Sequence, residues 1–219
     1  MIAIDKEYRR QMEGIYRALL QSTAPGAYDE NALPSYTHSN RLMAWLFWKR
    51  IDIALGLMGE IMEKTILDFG CGGAVTFKYL DQKHCRIVGC DENVLLARRV
   101  CEVLRVKADL YQDLSAVRGL TFDCILALDV LEHIENSLAL IDKFRKLLQP
   151  GGRVVLSGPT ENLWYKVGRK LAGFSGHYHV KNVYQIEQEF AAQGFVSEKV
   201  CTLYHPVPLF RVSRWAIET

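Results

Sequence analysis

Ile66-Leu67-Asp68-Phe69-Gly70-Cys71-Gly72-Gly73-Ala74 is the stretch that decides the fold. It joins a short apolar run, residues 65–69, to a helical stretch over 75–80. The glycines between them permit a tight turn and a close approach of backbone to ligand. In open α/β sheets such a turn opens onto the crevice beyond the carboxyl ends of the strands. Further on, in Ile87-Val88-Gly89-Cys90-Asp91, an acid ends the next apolar run about 20 residues after the glycines, the spacing of a ribose-binding carboxylate. Taken singly, the glycines make a turn and Asp91 an N-cap for the helix that follows; taken together, they imply a nucleoside-type cofactor.

Working outward, strands are expected at 65–69, 86–91, 105–109, 122–128 and 153–157, with helices over 75–80, 94–103 and 137–148 between them. This alternation means βαβ crossovers and a parallel sheet with helices on both faces. Pro150-Gly151-Gly152 reads as a helix stop and a tight entry into the next strand. Before this core, residues 1–63 read as a helix over 6–21, a turn-rich stretch over 22–39 and an amphipathic helix over 40–62. After it come a polar and aromatic loop, a helix over 182–193 closed by Gly194, and two runs, 196–203 and 209–217, that form a terminal antiparallel hairpin. The expected architecture is an α/β Rossmann-like three-layer sandwich. Its sheet is seven-stranded and mostly parallel, with an N-terminal helical appendage. One domain spans 1–219: a lid at 1–63, a cofactor core at 64–158, and a substrate loop, helix and hairpin at 159–219.

The glycine spacing narrows the cofactor. A dinucleotide fingerprint starting at Gly70 requires glycine where Val75 stands, which disfavours a nicotinamide-dependent oxidoreductase, and no P-loop pattern occurs. The chain instead resembles the class I S-adenosylmethionine-dependent methyltransferases, including the small-molecule enzymes of the ubiquinone and menaquinone type. Asp68-Phe69-Gly70-Cys71-Gly72 matches their first motif, with Ala74 in place of the third glycine. Phe122-Asp123-Cys124-Ile125, Asp129-Val130-Leu131-Glu132-His133-Ile134 and Leu147-Leu148-Gln149-Pro150-Gly151-Gly152 match the later segments in order.

The resemblance implies roles residue by residue. Asp68 orders the methionine amine side of S-adenosylmethionine, Gly70, Cys71 and Gly72 line the cofactor, and Asp91 with Glu92 holds the ribose. Asp109, at the end of the third strand, faces the adenine amino group with Leu110 beside the ring, and Asp113 is the rival for that contact. The backbone of Ala127 and Leu128 passes the sulfonium end. Methyl transfer is an in-line displacement that leaves S-adenosylhomocysteine, so the protein chiefly positions the nucleophile and excludes water. A base matters where a hydroxyl must lose its proton, and histidine suits that work near neutrality. His133, His177 and His179 are the candidates, with loop buttressing and solvated surface as their structural roles. Relatives carrying E-x-x-E-H bind a divalent cation at this segment. The reading adopted here has no metal; a set of Asp129, Glu132 and His133 is the alternative.

On the acceptor side the candidates are Tyr36 and His38, in Tyr36-Thr37-His38-Ser39-Asn40, and Trp164, Tyr165 and Tyr178 around the histidine loop. With 27 Lys+Arg against 25 Asp+Glu, net charge gives no case for a polyanion, so nucleic acid is not expected as a partner. A small-molecule or lipid-like acceptor, methylated on oxygen or carbon, fits better. Met43-Ala44-Trp45-Leu46-Phe47-Trp48-Lys49-Arg50 and the basic Lys166, Arg169, Lys170 and Lys181 read as core and solvated face, or as a peripheral membrane contact. Cys71, Cys85, Cys90, Cys101, Cys124 and Cys201 form no C-x-x-C pair, which fits reduced thiols in a cytoplasmic protein. Neither a signal peptide nor a spanning helix is expected. The rival functions are an RNA or protein methyltransferase and a non-catalytic S-adenosylmethionine-binding module.

Overall fold

The computed structural model describes residues 4–22, 36–37, 41–162, 180–204 and 207–218. In chain order the elements are α1 (Lys6–Ser22), α2 (Arg41–Leu57), β1 (Thr65–Phe69), α3 (Phe77–Gln82), β2 (Arg86–Cys90), α4 (Leu95–Leu104) and β3 (Asp109–Tyr111). They continue with β4 (Phe122–Leu128), α5 (Ser137–Leu147), β5 (Leu148–Pro159), α6 (Val183–Ala192), β6 (Phe195–Leu203) and β7 (Phe210–Ile217), with 3-10 turns at Leu114–Ala116 and Leu131–His133. The strands form one seven-stranded sheet in the order β3-β2-β1-β4-β5-β7-β6. Neighbours among β1 to β5 pair in parallel, and β7 runs antiparallel to both β5 and β6, as the expected fold requires.

Successive strand residues enter opposite cores, because side chains alternate across a pleated sheet. Ile66, Ile87, Leu126, Val155 and Val212 pack with α1, α2, α3 and α4 on one face. Leu67, Val88, Ile125, Val154 and Leu156 pack with Ile141, Phe144, Val183, Ile186 and Phe190 of α5 and α6 on the other. Burial on both faces explains why these strands read as continuous apolar runs. On α1, Tyr8, Met12, Tyr16 and Leu19 are buried at the spacing of one helical stripe.

Several boundaries differ from the sequence expectation. Helix α2 ends at Leu57 rather than 62: Arg214 Nη1 and Arg153 Nη1 donate to the carbonyls of Leu57 and Met58 at 3.2 and 3.1 Å, capping the helix end from the sheet. Arg105 takes a left-handed conformation (φ 55°) and closes α4, so β3 begins at Asp109, where the expected strand ended. Pro150-Gly151-Gly152 lies inside β5, which starts directly after α5; a register irregularity between Phe122 and Cys124 of β4 accommodates it.

Candidate active site

The order β2-β1-β4 places the switch point of the sheet between β1 and β4, so the crevice lies beyond Phe69 and Leu128. The loops on its two sides meet there. Gly70 has φ +75°, and a Cβ on it would lie 2.6 Å from Val130 Cβ. Gly70→Ala therefore combines a clash with a left-handed alanine, and the expected loss is about 1–3 kcal/mol of stability, measured by urea denaturation. Gly70→Ala/Val130→Ala removes the contacts with the two Cγ atoms but keeps the one with Cβ and the strain, so it recovers only a small part of the loss.

Asp91 is tied back to the glycine turn. Its Oδ2 accepts from Gly72 N–H at 2.8 Å and its Oδ1 from Asn93 N–H at 3.0 Å, while Asn93 Oδ1 accepts from Leu95 N–H at 3.1 Å. The side chain that serves the start of α4 is thus Asn93. Glu92 is exposed, and its carbonyl accepts from Gln112 Nε2. Asp68 is 3% exposed and accepts from Thr76 Oγ1 at 2.5 Å. Burial, with the nearby Asp91 charge, pushes its carboxyl up to about 7 despite the Thr76 bond. Cys71 is buried in the turn, and burial holds its thiol well above the usual range, which argues against a nucleophilic role.

The adenine candidates separate. Asp109 stands at the amino end of β3, exposed, and pairs with Arg86 Nη2 at 3.0 Å, away from the carboxyl edge expected for it. Asp113 lies past the carboxyl end of β3 and caps the Leu114–Ala116 turn, accepting from Ser115 N–H. Leu110 packs against Gly89 and also borders an open depression of about 490 Å³ lined by Arg98, Arg105 and Lys107. That depression lies beside α4 rather than at the glycine turn. Ala127 is buried, and Leu128 at the end of β4 pairs with Ser157.

Beyond β4 the structure assembles a cluster that the sequence did not reveal. Arg50 of α2, 2% exposed, places Nη2 2.5 Å from Asp129 Oδ2, and its guanidinium lies 4.5 and 4.6 Å from the ring centroids of Phe47 and Phe210. Asp129 Oδ1 accepts from Ser157 Oγ at 3.0 Å. Glu132 is 1% exposed, and burial, reinforced by the Asp129 charge, holds its carboxyl well above the usual range. Tyr36 is buried against Tyr16, Phe47 and Trp48. The one sequence signal for Arg50 was a charge inside the apolar run Met43 to Ile51, which is where a buried ion pair would show.

His133 is exposed on its 3-10 turn, Glu132 is buried, and Asp129 is engaged by a guanidinium. The three do not converge as a cation site requires, and no group of His, Cys, Asp and Glu suited to a metal occurs among the described residues. His38, Trp164, Tyr165, His177, Tyr178 and His179 lie outside the described residues, as do Lys166, Arg169 and Lys170.

A family model described as a methyltransferase domain matches residues 8–200. The chain belongs to that family. Its motifs and fold are those of the class I S-adenosylmethionine-dependent methyltransferases. Among curated proteins, the ubiquinone biosynthesis O-methyltransferase of Pseudomonas paraeruginosa is 31% identical over 119 residues, covering 51% of this chain and 50% of that protein. The protein of the same name from Cereibacter sphaeroides is 34% identical over 104 residues, covering 44% and 42%. The match thus spans about half the length of these relatives. Among solved structures, the N-methyltransferase NodS of Bradyrhizobium japonicum, in complex with S-adenosyl-L-homocysteine, aligns with TM-score 0.63 at 18% identity, covering 95% of this chain and 97% of that one. The magnesium protoporphyrin IX methyltransferase of Synechocystis, also with S-adenosylhomocysteine bound, gives 0.59 at 20% identity, covering 96% of each. At these identities the two structures speak for the fold.

Proposed function

We propose that this methyltransferase domain moves the methyl group of S-adenosylmethionine to a small-molecule or lipid-like acceptor, on oxygen or carbon. The observation that carries the cofactor site is the Asp91 carboxylate bonded to Gly72 N–H, at the switch point where a nucleoside ligand fits. In this reading Asp91 exchanges part of that bonding for ribose hydroxyls, Asp113 with Leu110 serves adenine, and Asp68 faces the methionine amine. Gly70, Cys71 and Gly72 supply backbone, and Ala127 and Leu128 flank the reacting end. Bound, the cofactor supplies a methyl carbon on a sulfonium that is already a good leaving group.

The chain's own work is then to hold the nucleophile in line and keep the site dry. Residues 1–63 and 159–219 are assigned to lid and acceptor side around the 64–158 core, with Tyr36 buried against other residues of the lid. Relatives named for O-methylation in ubiquinone biosynthesis, and the near-neutral charge, support a hydroxylated small acceptor over a polyanion. A membrane role gains no support: no described helix is long and apolar enough to cross a membrane, and the basic residues 169 and 170 are outside the described set.

Calorimetry with S-adenosylhomocysteine tests the cofactor site, and labelled methyl transfer across phenol, enol and lipid-extract acceptors tests the activity. Binding without transfer to any of them would favour the non-catalytic module. A pH effect follows from Asp68. Its folded-state pKa of about 7 exceeds the unfolded value of 3.8. The stability it contributes is therefore complete below about pH 4 and is lost as pH rises through about 7. The ligand ammonium favours the carboxylate, so binding at about pH 6 releases up to one proton, and little above about pH 8. Buffer-dependent calorimetric enthalpies measure that release, and Asp68→Asn abolishes it.

A further inference from the structure

Helix α1 touches the glycine turn through two buried tyrosine hydroxyls. Tyr16, 0% exposed, donates from its hydroxyl to Gly73 O at 2.9 Å, and Tyr8, 4% exposed, donates to Val75 O at 2.6 Å. In a helix running from Val75 that carbonyl would accept from the N–H four residues on, of Tyr79. The Tyr8 hydroxyl takes the Val75 carbonyl, and α3 begins only at Phe77, although the sequence pattern expected helix from Val75.

The turn held this way is an unusual piece of backbone. Gly70, Gly72 and Ala74 all have positive φ, at 75, 44 and 52°. Alanine occupies that region rarely, so the conformation persists only where its surroundings enforce it. Thr76 ties the turn to Asp68, Asp91 ties it to β2, and the two tyrosines tie it to α1. Gly73 leaves little room for a side chain on the α1 side: a Cβ there would lie 3.2 Å from the Tyr16 hydroxyl. Tyr16 also packs on Tyr36, and Glu13 of α1 accepts from Trp48 Nε1 at 3.0 Å, so the same helix is anchored on α2.

We infer that Tyr8 and Tyr16 are positioning residues of the cofactor site: their hydroxyls hold the glycine turn in its ligand-receiving form and couple the docking of α1 to cofactor occupancy. This rests on the cofactor reading above and adds to it a part for the N-terminal helix. A ligand that requires the turn in this form stabilises α1 on the domain, and by linkage loss of the tyrosine bonds weakens the ligand. The hydroxyls act through backbone carbonyls and need not touch the cofactor.

The test uses the full chain, S-adenosylhomocysteine as probe, and the variants Tyr8→Phe, Tyr16→Phe and the double variant. Phe190→Leu, on the opposite face of the sheet, serves as a control that lowers stability away from the site. Calorimetry should show about tenfold weaker binding for each single Tyr→Phe variant and unchanged affinity for Phe190→Leu at comparable thermal stability. Hydrogen exchange should show that the probe protects residues 6–22 in the wild type and protects them less in the variants. Wild-type affinity in the Tyr→Phe variants, or protection of 6–22 equal to wild type, would overturn the inference while leaving the cofactor reading intact. Failure of the wild type to bind the probe would overturn the cofactor reading and this inference with it.

Discussion

Arg50→Ala is expected to lose about 3–5 kcal/mol of folding stability, the cost of leaving one partner of a buried ion pair without the other. The guanidinium is 2% exposed and stands between two aromatic rings, so both charge and packing are lost. Asp129, left behind, keeps the Ser157 hydroxyl but faces the buried Glu132 with no cation between α2 and β4. A loss of this size is about a fifth or more of the stability of an ordinary domain and lowers Tm by roughly 10 °C in a chain of this length. Arg50→Met keeps much of the stem contact and isolates the charge. Pairing it with Asp129→Asn removes the stranded carboxylate, so the double variant should recover at least half of the single-variant loss. Urea denaturation of the four proteins measures the coupling. A loss below about 1 kcal/mol for Arg50→Ala would show that the pair contributes no more than a surface ion pair.

Asp91→Ala is expected to weaken S-adenosylhomocysteine by about 30- to 100-fold, equivalent to roughly 2–3 kcal/mol. Two effects add. The ribose hydroxyls lose a charged acceptor, and Gly72 N–H and Asn93 N–H lose the carboxylate that pins the turn. Asp91→Asn retains one oxygen acceptor and should lose less than the alanine variant. Because Asp91 is only half-buried, neither change should move Tm as far as Arg50→Ala does. Calorimetry decides it: unchanged affinity in Asp91→Ala would remove the ribose role and the cofactor site built on it.

Much of the fold was legible because it is written in short-range pattern. The runs 65–69 and 122–128 were recovered to the residue as β1 and β4, since β-branched and apolar residues bounded by turns leave one reading. Asn182 and Gln185 form the capping box that starts α6 where the sequence placed a helix. The misplaced boundaries have another origin. The start of α3 is set by a tyrosine from α1, the end of α2 by arginines of β5 and β7, and the start of β3 by a left-handed arginine. Asp109 was read one strand-length out of place for the last of these reasons. An exposed acid on a three-residue edge strand carries no periodic signal.

The sequence by itself determined the α/β order, the turn at Asp68 to Gly72 and the acid at Asp91, because each depends on residues close together in the chain. Only the tertiary structure brought Arg50 onto Asp129 and Tyr8 and Tyr16 onto the glycine turn, the two tyrosine bonds spanning 67 and 57 residues. A buried charge or hydroxyl needs a partner, but nothing in local propensity says which distant residue will supply it. That choice is made by packing, when α1 and α2 close over one face of the sheet and bring their few polar groups to the edge where the cofactor site lies.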